Sequence, residues 1–245
     1  MKKVRCNEKL IISRVNLIND IHSLDILKRL NRNMNMIVIA NICEFRNLGY
    51  LKRFLTNKEK NKLEKFVFED DRKRYILSHG LLNYIFSDAL GISIKNIKFY
   101  LGDKGKPKIK NKYKINYNIS HSKELILIGF SKEKEIGIDV EKVYYNIDYK
   151  EISEAFFHPY DLLCYSNKSK IDEIKSFFKI WVVKEAYTKA LGTGLSRSLD
   201  TFFIKKSLNN KLMVMDIINS TETYIKTFKP QLGYIAAISI LDKSK

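Results

Sequence analysis

The 245-residue chain contains few of the residues that cross-link a fold or interrupt it: three prolines, ten glycines, three cysteines and one tryptophan. Cys6, Cys43 and Cys164 are widely spaced and form no CxxC pair, which argues against a disulfide framework and a zinc site. So few prolines and glycines leave little room for a flexible linker. The longest apolar runs, such as residues 36–40, are far shorter than the roughly 20 residues that cross a bilayer. These absences predict a cytoplasmic protein with reduced thiols.

Acidic residues are outnumbered: 45 Lys and Arg against 27 Asp and Glu leave a net charge of +18. Such a surplus attracts nucleic acid, anionic membranes, phosphate-rich ligands or acidic proteins. The chain is also rich in Lys, Asn and Ile together, so drift toward AT-rich codons explains the surplus equally well. No zinc spacing, RNP-type motif or basic helix supports a nucleic-acid-binding protein. We expect neither nucleic acid nor membrane as a partner.

Hydrophobic periodicity predicts an α+β fold of two similar-sized halves. Residues 1–33 have helix-like spacing and are predicted to form a helical N-terminal extension, followed by halves at 34–131 and 132–245. Predicted helices begin after Thr56 and near Tyr149 and cover residues 74–90 and 176–191, the last two ending at Gly91 and Gly192. Predicted strands cover residues 36–40, 97–101, 125–130, 136–140, 201–204, 212–218, 224–228 and 234–241.

The first group of polar residues with possible chemistry is G-I-D-V-E at 137–141. Side chains alternate along a strand, so Asp139 and Glu141 share the face opposite Ile138 and Val140. Two carboxylates beside a glycine suit a hard cation such as Mg²⁺. Taken alone, the pair is more typical of an ordinary strand with solvated acids.

The second group lies in the predicted helix W-V-V-K-E-A-Y-T-K-A-L at 181–191. Trp181, Glu185 and Lys189 share one helical face, and an exposed Glu–Lys pair is the simplest interpretation. If Glu185 met Asp139 and Glu141, the three carboxylates would complete a Mg²⁺ site with open positions for phosphate oxygens. Lys189 could then neutralise phosphate charge.

The third group is N-I-S-H-S at 118–122, preceded by the basic turn G-K-P at 105–107. Ser120 and His121 invite a nucleophile–base interpretation, but no G-x-S-x-G motif accompanies them. A histidine that donates to a phosphate oxygen explains the motif better, and Lys106 points to the same ligand.

In this order and spacing, the four motifs resemble those of the 4′-phosphopantetheinyl transferases of the Sfp type, over about residues 35–241. The resemblance implies a pseudo-dimer of two α+β halves, Mg²⁺ as cofactor, coenzyme A as co-substrate and a monomeric enzyme. It also implies three sets of site residues. Magnesium would be bound by Asp139, Glu141 and Glu185, and the catalytic residues would be Glu185, Glu141, Lys189 and His121. Coenzyme A would be bound by Lys62, Arg74, Lys106, Ser120, His121, Lys184 and Lys189. The chain departs from the family pattern at Glu59, which stands where a second lysine for the 3′-phosphate is expected.

The resemblance implies transfer of the 4′-phosphopantetheine arm of coenzyme A to a serine of an apo acyl or peptidyl carrier protein, with release of 3′,5′-ADP. Such carriers serve fatty-acid, polyketide and nonribosomal-peptide synthesis. The base that takes the serine proton is Glu185, directly or through a water, or Glu141. Another Mg²⁺-dependent enzyme, such as a nuclease or phosphatase, could use three carboxylates. It would not need the G-K-P and S-H-S motifs or Lys189, and a catalytically dead scaffold would not need the carboxylates.

Overall fold

The computed structural model describes residues 2–3, 9–165 and 168–241. The strands of the described residues are β1 (Lys2–Lys3), β2 (Lys9–Arg14), β3 (Met34–Asn41), β4 (Phe99–Leu101), β5 (Pro107–Ile109), β6 (Ile115–Ser122), β7 (Leu125–Lys132), β8 (Glu135–Lys142), β9 (Phe202–Lys206), β10 (Leu212–Asp216), β11 (Thr221–Phe228) and β12 (Tyr234–Leu241). The α-helices are α1 (Ile18–His22), α2 (Ile26–Asn31), α3 (Leu48–Leu51), α4 (Asn57–Leu63), α5 (Glu69–Tyr75), α6 (Leu81–Leu90), α7 (Tyr149–Phe156), α8 (Pro159–Leu162) and α9 (Lys170–Leu191). Short 3₁₀ turns occur at Lys52–Phe54, Ile94–Asn96, Leu163–Tyr165, Gly194–Ser196 and Leu199–Thr201.

The chain divides into two compact units, each with helices and a mainly antiparallel sheet, which confirms the predicted two-half α+β fold. The N-terminal unit is Glu8–Leu101 with Pro107–Lys132. The C-terminal unit contains Gly102–Lys106 and Glu133–Lys245, together with β1. The main division, after Lys132, lies one residue from the boundary predicted between the halves. Among the described residues, no helix is both long and apolar enough to cross a membrane.

In the N-terminal unit the sheet has the order β2-β3-β7-β6, with β2 parallel to β3 and the other pairs antiparallel. The central strands β3 and β7 are buried along almost their whole length, as their apolar runs predict. Helices α5 and α6 are joined by the π-helical segment Ile76–Gly80. A side chain at Gly80 would lie 2.6 Å from the carbonyl oxygen of Leu51, so only glycine permits this approach to α3.

The prediction that residues 1–33 form a helical extension is wrong for the part that the structure describes. Strand β2 pairs in register with β3, from Lys9 opposite Met34 to Arg14 opposite Ile39. The helix-like spacing that follows corresponds to the two short helices α1 and α2. Their apolar side chains belong to the same core cluster as the sheet. This segment is therefore an integral part of the N-terminal unit.

In the C-terminal unit the sheet has the order β8-β12-β11-β10-β9, all antiparallel, and β1 pairs in parallel with β11. Helix α9 packs on β8 and β12. It begins at Ser169, whose hydroxyl accepts from the backbone N–H of Asp172, and it ends at Gly192 with φ 78°.

Of the three cysteines, Cys43 is exposed and outside any disulfide; Cys6 and the side chain of Cys164 lie outside the described residues.

Candidate functional site

The polar face of β8 lies against α9, and Gly137 allows the backbones of the strand and the helix to approach closely. Ile136, Ile138 and Val140 are fully buried on the other face of the strand. A side chain at Gly137 would lie 2.0 Å from the carbonyl oxygen of Ala186, a distance that no side chain tolerates. Asp139 and Glu141 follow on the same strand face as Gly137, because side chains alternate. The strand therefore presents both carboxylates on the side where the helix packs.

Lys189 of α9 pairs with Asp139, and Glu185 of the same helix lies close enough to feel the charges of both. Lys189 Nζ donates to Asp139 Oδ1 at 2.6 Å, and the Asp139 side chain is only 4% exposed. Glu185 is also buried, and no described residue donates a hydrogen bond to its Oε1. Burial raises the pKa of Glu185, the Lys189 ammonium opposes this shift, and the Asp139 charge adds to it. We call Asp139, Glu141, Glu185 and Lys189 the carboxylate cluster.

The carboxylate cluster is not a preformed metal centre. Among the described residues, no three His, Cys, Asp or Glu side chains are arranged closely enough to hold a metal ion. Glu141 is half-buried and follows Asp139 by two residues on the same strand face. The Lys189 ammonium supplies positive charge beside Asp139. The magnesium role of the three acids therefore stays a prediction.

Lys184, predicted to bind coenzyme A, has a side chain with structural contacts, and its role toward coenzyme A stays a prediction. Its side chain is fully buried and its ammonium forms an ion pair with Asp161 at 2.8 Å. The ammonium also donates to the carbonyl oxygens of Leu199 and Phe202, both at 2.7 Å, and lies 4.4 Å from the Phe202 ring centroid. Burial lowers the pKa of Lys184, and the Asp161 charge opposes this shift. Its ammonium is therefore committed to contacts inside the C-terminal unit.

Lys106 of the G-K-P turn is likewise turned inward. Its ammonium lies 3.1 Å from Glu135 Oε2 and donates to the carbonyl oxygen of Ile136 at 2.7 Å and, more weakly, to that of Ala190 at 3.5 Å. The contact with Ala190 brings a positive charge to the C-terminal end of α9, where the helix dipole favours it. The side chain is 7% exposed and ties the turn to β8 and α9. Its contact with coenzyme A stays a prediction.

The N-terminal unit contains a separate feature, a basic cavity of about 690 Å³. Three residues predicted to bind coenzyme A, Lys62 of α4, Arg74 of α5 and His121 of β6, line this cavity. His121 is exposed, whereas Ser120, the next residue of β6, is buried and is not among the lining residues. The other charged or titratable lining residues are Lys58, Glu59, Asp71, Tyr75, His79 and Tyr117. We call this feature the basic cavity.

Both acidic residues of the basic cavity are paired with bases that also line it. Asp71 forms an ion pair with Arg74, whose Nε also donates to the carbonyl oxygen of Lys123 at 3.0 Å. Glu59 Oε1 lies 3.1 Å from His79 Nδ1. Lys62 Nζ lies 5.2 Å from the ring centroid of Tyr75, a cation–π contact. The cavity therefore keeps lysine and histidine donors for an anionic ligand.

Glu59 explains why the chain departs from the family pattern at this position. Its Oε2 accepts from the N–H and hydroxyl of Thr56 and from Asn83 Nδ2, all at 2.8 Å, which completes a capping box at the start of α4. Burial raises its pKa, but the hydrogen bonds from His79 and Thr56 outweigh burial, so the net pKa is lowered. Glu59 is therefore an ionised structural residue at the cavity wall.

His79, Tyr75 and Tyr117 also line the cavity, although no motif in the sequence predicted a role for them. Tyr75 precedes His79 by four residues, a spacing that places both on one helical face, and their rings stack at 4.2 Å between centroids. Burial, with the Glu59 charge, raises the pKa of Tyr75 to about 12 and raises that of Tyr117 as well. For Tyr75 and His79, the available sequence signal was their i, i+4 spacing next to Arg74. Tyr117 could be identified only from the knowledge that residues 115–122 form a strand.

Two family profiles match consecutive stretches of this chain. The profile "4′-phosphopantetheinyl transferase, N-terminal" matches residues 44–133, and "4′-phosphopantetheinyl transferase superfamily" matches residues 135–238. The 4′-phosphopantetheinyl transferase gsp of Aneurinibacillus migulanus is 29% identical over 203 residues, 82% of this chain and 82% of that protein. The 4′-phosphopantetheinyl transferase Sfp of Bacillus subtilis is 28% identical over 185 residues, 76% and 81% of the two chains. The solved holo-[acyl-carrier-protein] synthase of Thermotoga maritima is 24% identical with a TM-score of 0.34 and covers 45% of this chain and 64% of its own. With both units matched in order, the chain belongs to the 4′-phosphopantetheinyl transferases of the Sfp type and is a transferase enzyme.

Proposed function

We propose that this transferase moves the 4′-phosphopantetheine arm of coenzyme A onto a serine hydroxyl of an apo acyl or peptidyl carrier protein, with Mg²⁺ as cofactor. The observation that carries the proposal is the carboxylate cluster, where Glu185 keeps one buried oxygen without a donor beside the Asp139–Lys189 ion pair. The names of the relatives, 4′-phosphopantetheinyl transferases, support the reaction.

The donor set of the carboxylate cluster fits Mg²⁺. Mg²⁺ takes hard oxygen ligands and binds through one or two carboxylates together with substrate phosphates. Glu185 Oε1 has lost its hydration on burial without gaining a hydrogen bond from a described residue, so it is an oxygen that a cation would stabilise. Asp139, Glu141 and Glu185 would hold the ion. When bound, it would supply positive charge for the diphosphate of coenzyme A.

The reaction balances with one proton transfer. The serine oxygen bonds to the phosphorus that carries the pantetheine arm, and the bond from that phosphorus to the bridging oxygen breaks. The bridging oxygen leaves with the electron pair on 3′,5′-ADP. The serine proton goes to Glu185, directly or through a water, or to Glu141. The Lys189 ammonium stabilises charge on the leaving phosphate.

The basic cavity is proposed to bind the nucleotide end of coenzyme A. Lys62, Arg74 and His121 line it, and its volume of about 690 Å³ suits a ligand of nucleotide size. Phosphate recognition needs donors rather than acceptors, and both cavity carboxylates are paired with cavity bases. One chain carries both the carboxylate cluster and this cavity, so we expect a monomer, which light scattering would test.

The test is intact-protein mass spectrometry of apo acyl and apo peptidyl carrier proteins incubated with enzyme, coenzyme A and Mg²⁺. We expect a mass gain of one phosphopantetheinyl group, lost when EDTA removes the metal. Glu185→Gln should slow the gain about 10³-fold, since it removes a metal ligand and the base. Glu154→Gln, the same change at an exposed position of α7, is the matched control and should act like wild type. No gain on either class of carrier would overturn the proposal.

A further inference from the structure

The basic cavity contains a hydrogen-bonded pair, Glu59 and His79, that the proposed chemistry does not use. Glu59 Oε1 lies 3.1 Å from His79 Nδ1, and the Glu59 side chain is 16% exposed. An ionised carboxylate can only accept hydrogen bonds. Its other oxygen already accepts from Thr56 and Asn83. The Glu59 carboxylate therefore requires that Nδ1 of His79 carry a proton.

This arrangement decides what the second ring nitrogen can do. With Nδ1 protonated, Nε2 is an acceptor when the ring is neutral and a charged donor when the ring is protonated. Among the described residues, Nε2 of His79 has no hydrogen-bond partner. The side chain is 34% exposed and lines the cavity. Nε2 is therefore the atom of this pair that a ligand in the cavity can reach.

The position of the His79 ring is set by its neighbours. One face stacks on Tyr75 at 4.2 Å between centroids, with the planes 30° apart. His79 belongs to the π-helical segment Ile76–Gly80, and such segments often occur at functional sites. Stacking on Tyr75 and the bond to Glu59 together leave the ring little rotational freedom. The charged and titratable groups that line the cavity around it are Lys58, Glu59 and Lys62 from α4, Asp71, Arg74 and Tyr75 from α5, and Tyr117 and His121 from β6.

We propose that His79 binds the anionic nucleotide end of coenzyme A through Nε2, with Glu59 as the residue that positions the ring. This inference rests on the proposed function, because that function supplies the nucleotide. A charged N–H donor binds phosphate more strongly than a neutral one, so ligand binding favours the protonated ring. Affinity should therefore be higher in acidic than in basic solution.

The experiment is calorimetric titration of the whole enzyme with 3′,5′-ADP and with coenzyme A at about pH 6 and about pH 8. His79→Asn keeps an amide donor for Glu59 in the place of Nδ1 but has no atom in the place of Nε2. A merely structural histidine would tolerate this change, whereas a ligand-binding one would not. His22→Asn is the matched control, since His22 lies in the same unit but is not a lining residue of the cavity.

The measure is the ratio of wild-type to variant affinity at each pH, because any other effect of pH on the ligand or the cavity is common to both proteins. For His79→Asn we expect about a tenfold loss at the lower pH and about a twofold loss at the higher pH. Glu59→Gln should show a smaller loss with the same pH trend, and His22→Asn should show none. The melting temperature of each variant verifies its fold.

Two outcomes separate this inference from the function on which it rests. If wild type binds the nucleotides but His79→Asn binds them equally well, or with a ratio that does not change with pH, only the role of His79 is overturned. If wild type binds neither 3′,5′-ADP nor coenzyme A, the proposed function and this inference both fail.

Discussion

The carboxylate cluster of the C-terminal unit contains the buried Glu185, the basic cavity of the N-terminal unit contains the half-buried Glu59, and the two glutamates differ in their hydrogen-bond donors. Glu59 in the cavity accepts hydrogen bonds from Thr56, Asn83 and His79, and its pKa is lowered despite burial. Glu185 in the cluster has an oxygen to which no described residue donates, and burial raises its pKa. Hydrogen-bond donors decide whether a buried carboxylate holds the fold together or remains available to a ligand.

The same distinction separates two of the lysines of α9, Lys184 and Lys189. The ammonium of Lys184 has an ion pair and two carbonyl acceptors and is fully buried. Lys189 lies five residues further along the helix, pairs with Asp139 and is 26% exposed. Consecutive residues on a helix point about 100° apart, so Lys184 and its neighbour Glu185 face different surroundings. A motif that contains both residues does not reveal which of them is held by contacts within the fold.

The largest expected effect is at Lys184. Lys184→Met leaves Asp161 buried without its counter-charge, so unfolding free energy should fall by about 3–5 kcal/mol, measured by urea titration. Adding Asp161→Asn keeps an oxygen that can accept from the N–H of Ile204 and removes the unpaired charge, so the double variant should regain most of the loss. A single variant as stable as wild type would show that Lys184 is not the structural residue that its contacts indicate.

Much of the carboxylate cluster could be predicted from sequence because its two elements carry strong local signals. The period-2 pattern around Asp139 and the helical spacing of Glu185 and Lys189 are sufficient to place each element and its polar face. That the strand and the helix bring their polar residues together was predicted only from the resemblance to a family. The strand Lys9–Arg14 was not predicted. It pairs in parallel with β3, and a parallel pair lacks the hairpin turn that marks neighbouring strands in a sequence. Strand β6 was missed because N-I-S-H-S has no clear apolar alternation.

The next effect tests how the cluster is assembled. Gly137→Ala would place a Cβ atom 2.0 Å from the carbonyl oxygen of Ala186 and 2.3 Å from the amide nitrogen of Ala190, both backbone atoms that cannot rotate away. Helix α9 must then move from β8, at a cost of about 2–3 kcal/mol in unfolding free energy. Transfer activity should fall with it, because Glu185 and Lys189 move with the helix. Gly49→Ala, at a position with nothing within 4 Å, is the control and should lose much less.

The smallest effect compares the two glutamates directly, because the same isosteric change should have opposite consequences. At neutral pH, Glu59→Gln should lower unfolding free energy by about 1 kcal/mol, since it weakens a charged capping box and the bond to His79. Glu185→Gln should be as stable as wild type or more so, since it removes a buried charge whose Oε1 has no donor. Urea titrations in EDTA measure both without metal binding.

Acidification sharpens this last comparison. Because the folded-state pKa of Glu59 lies below its ordinary value, the stability that its ionised form contributes is present above that ordinary value. It is lost as pH falls through the lowered folded pKa. The deficit of Glu59→Gln relative to wild type should therefore shrink as the solution is acidified below the ordinary glutamate range of about 4.3. A deficit that stays constant with pH would mean that Glu59 stabilises α4 through its shape and neutral hydrogen bonds, and that its charge does not hold His79.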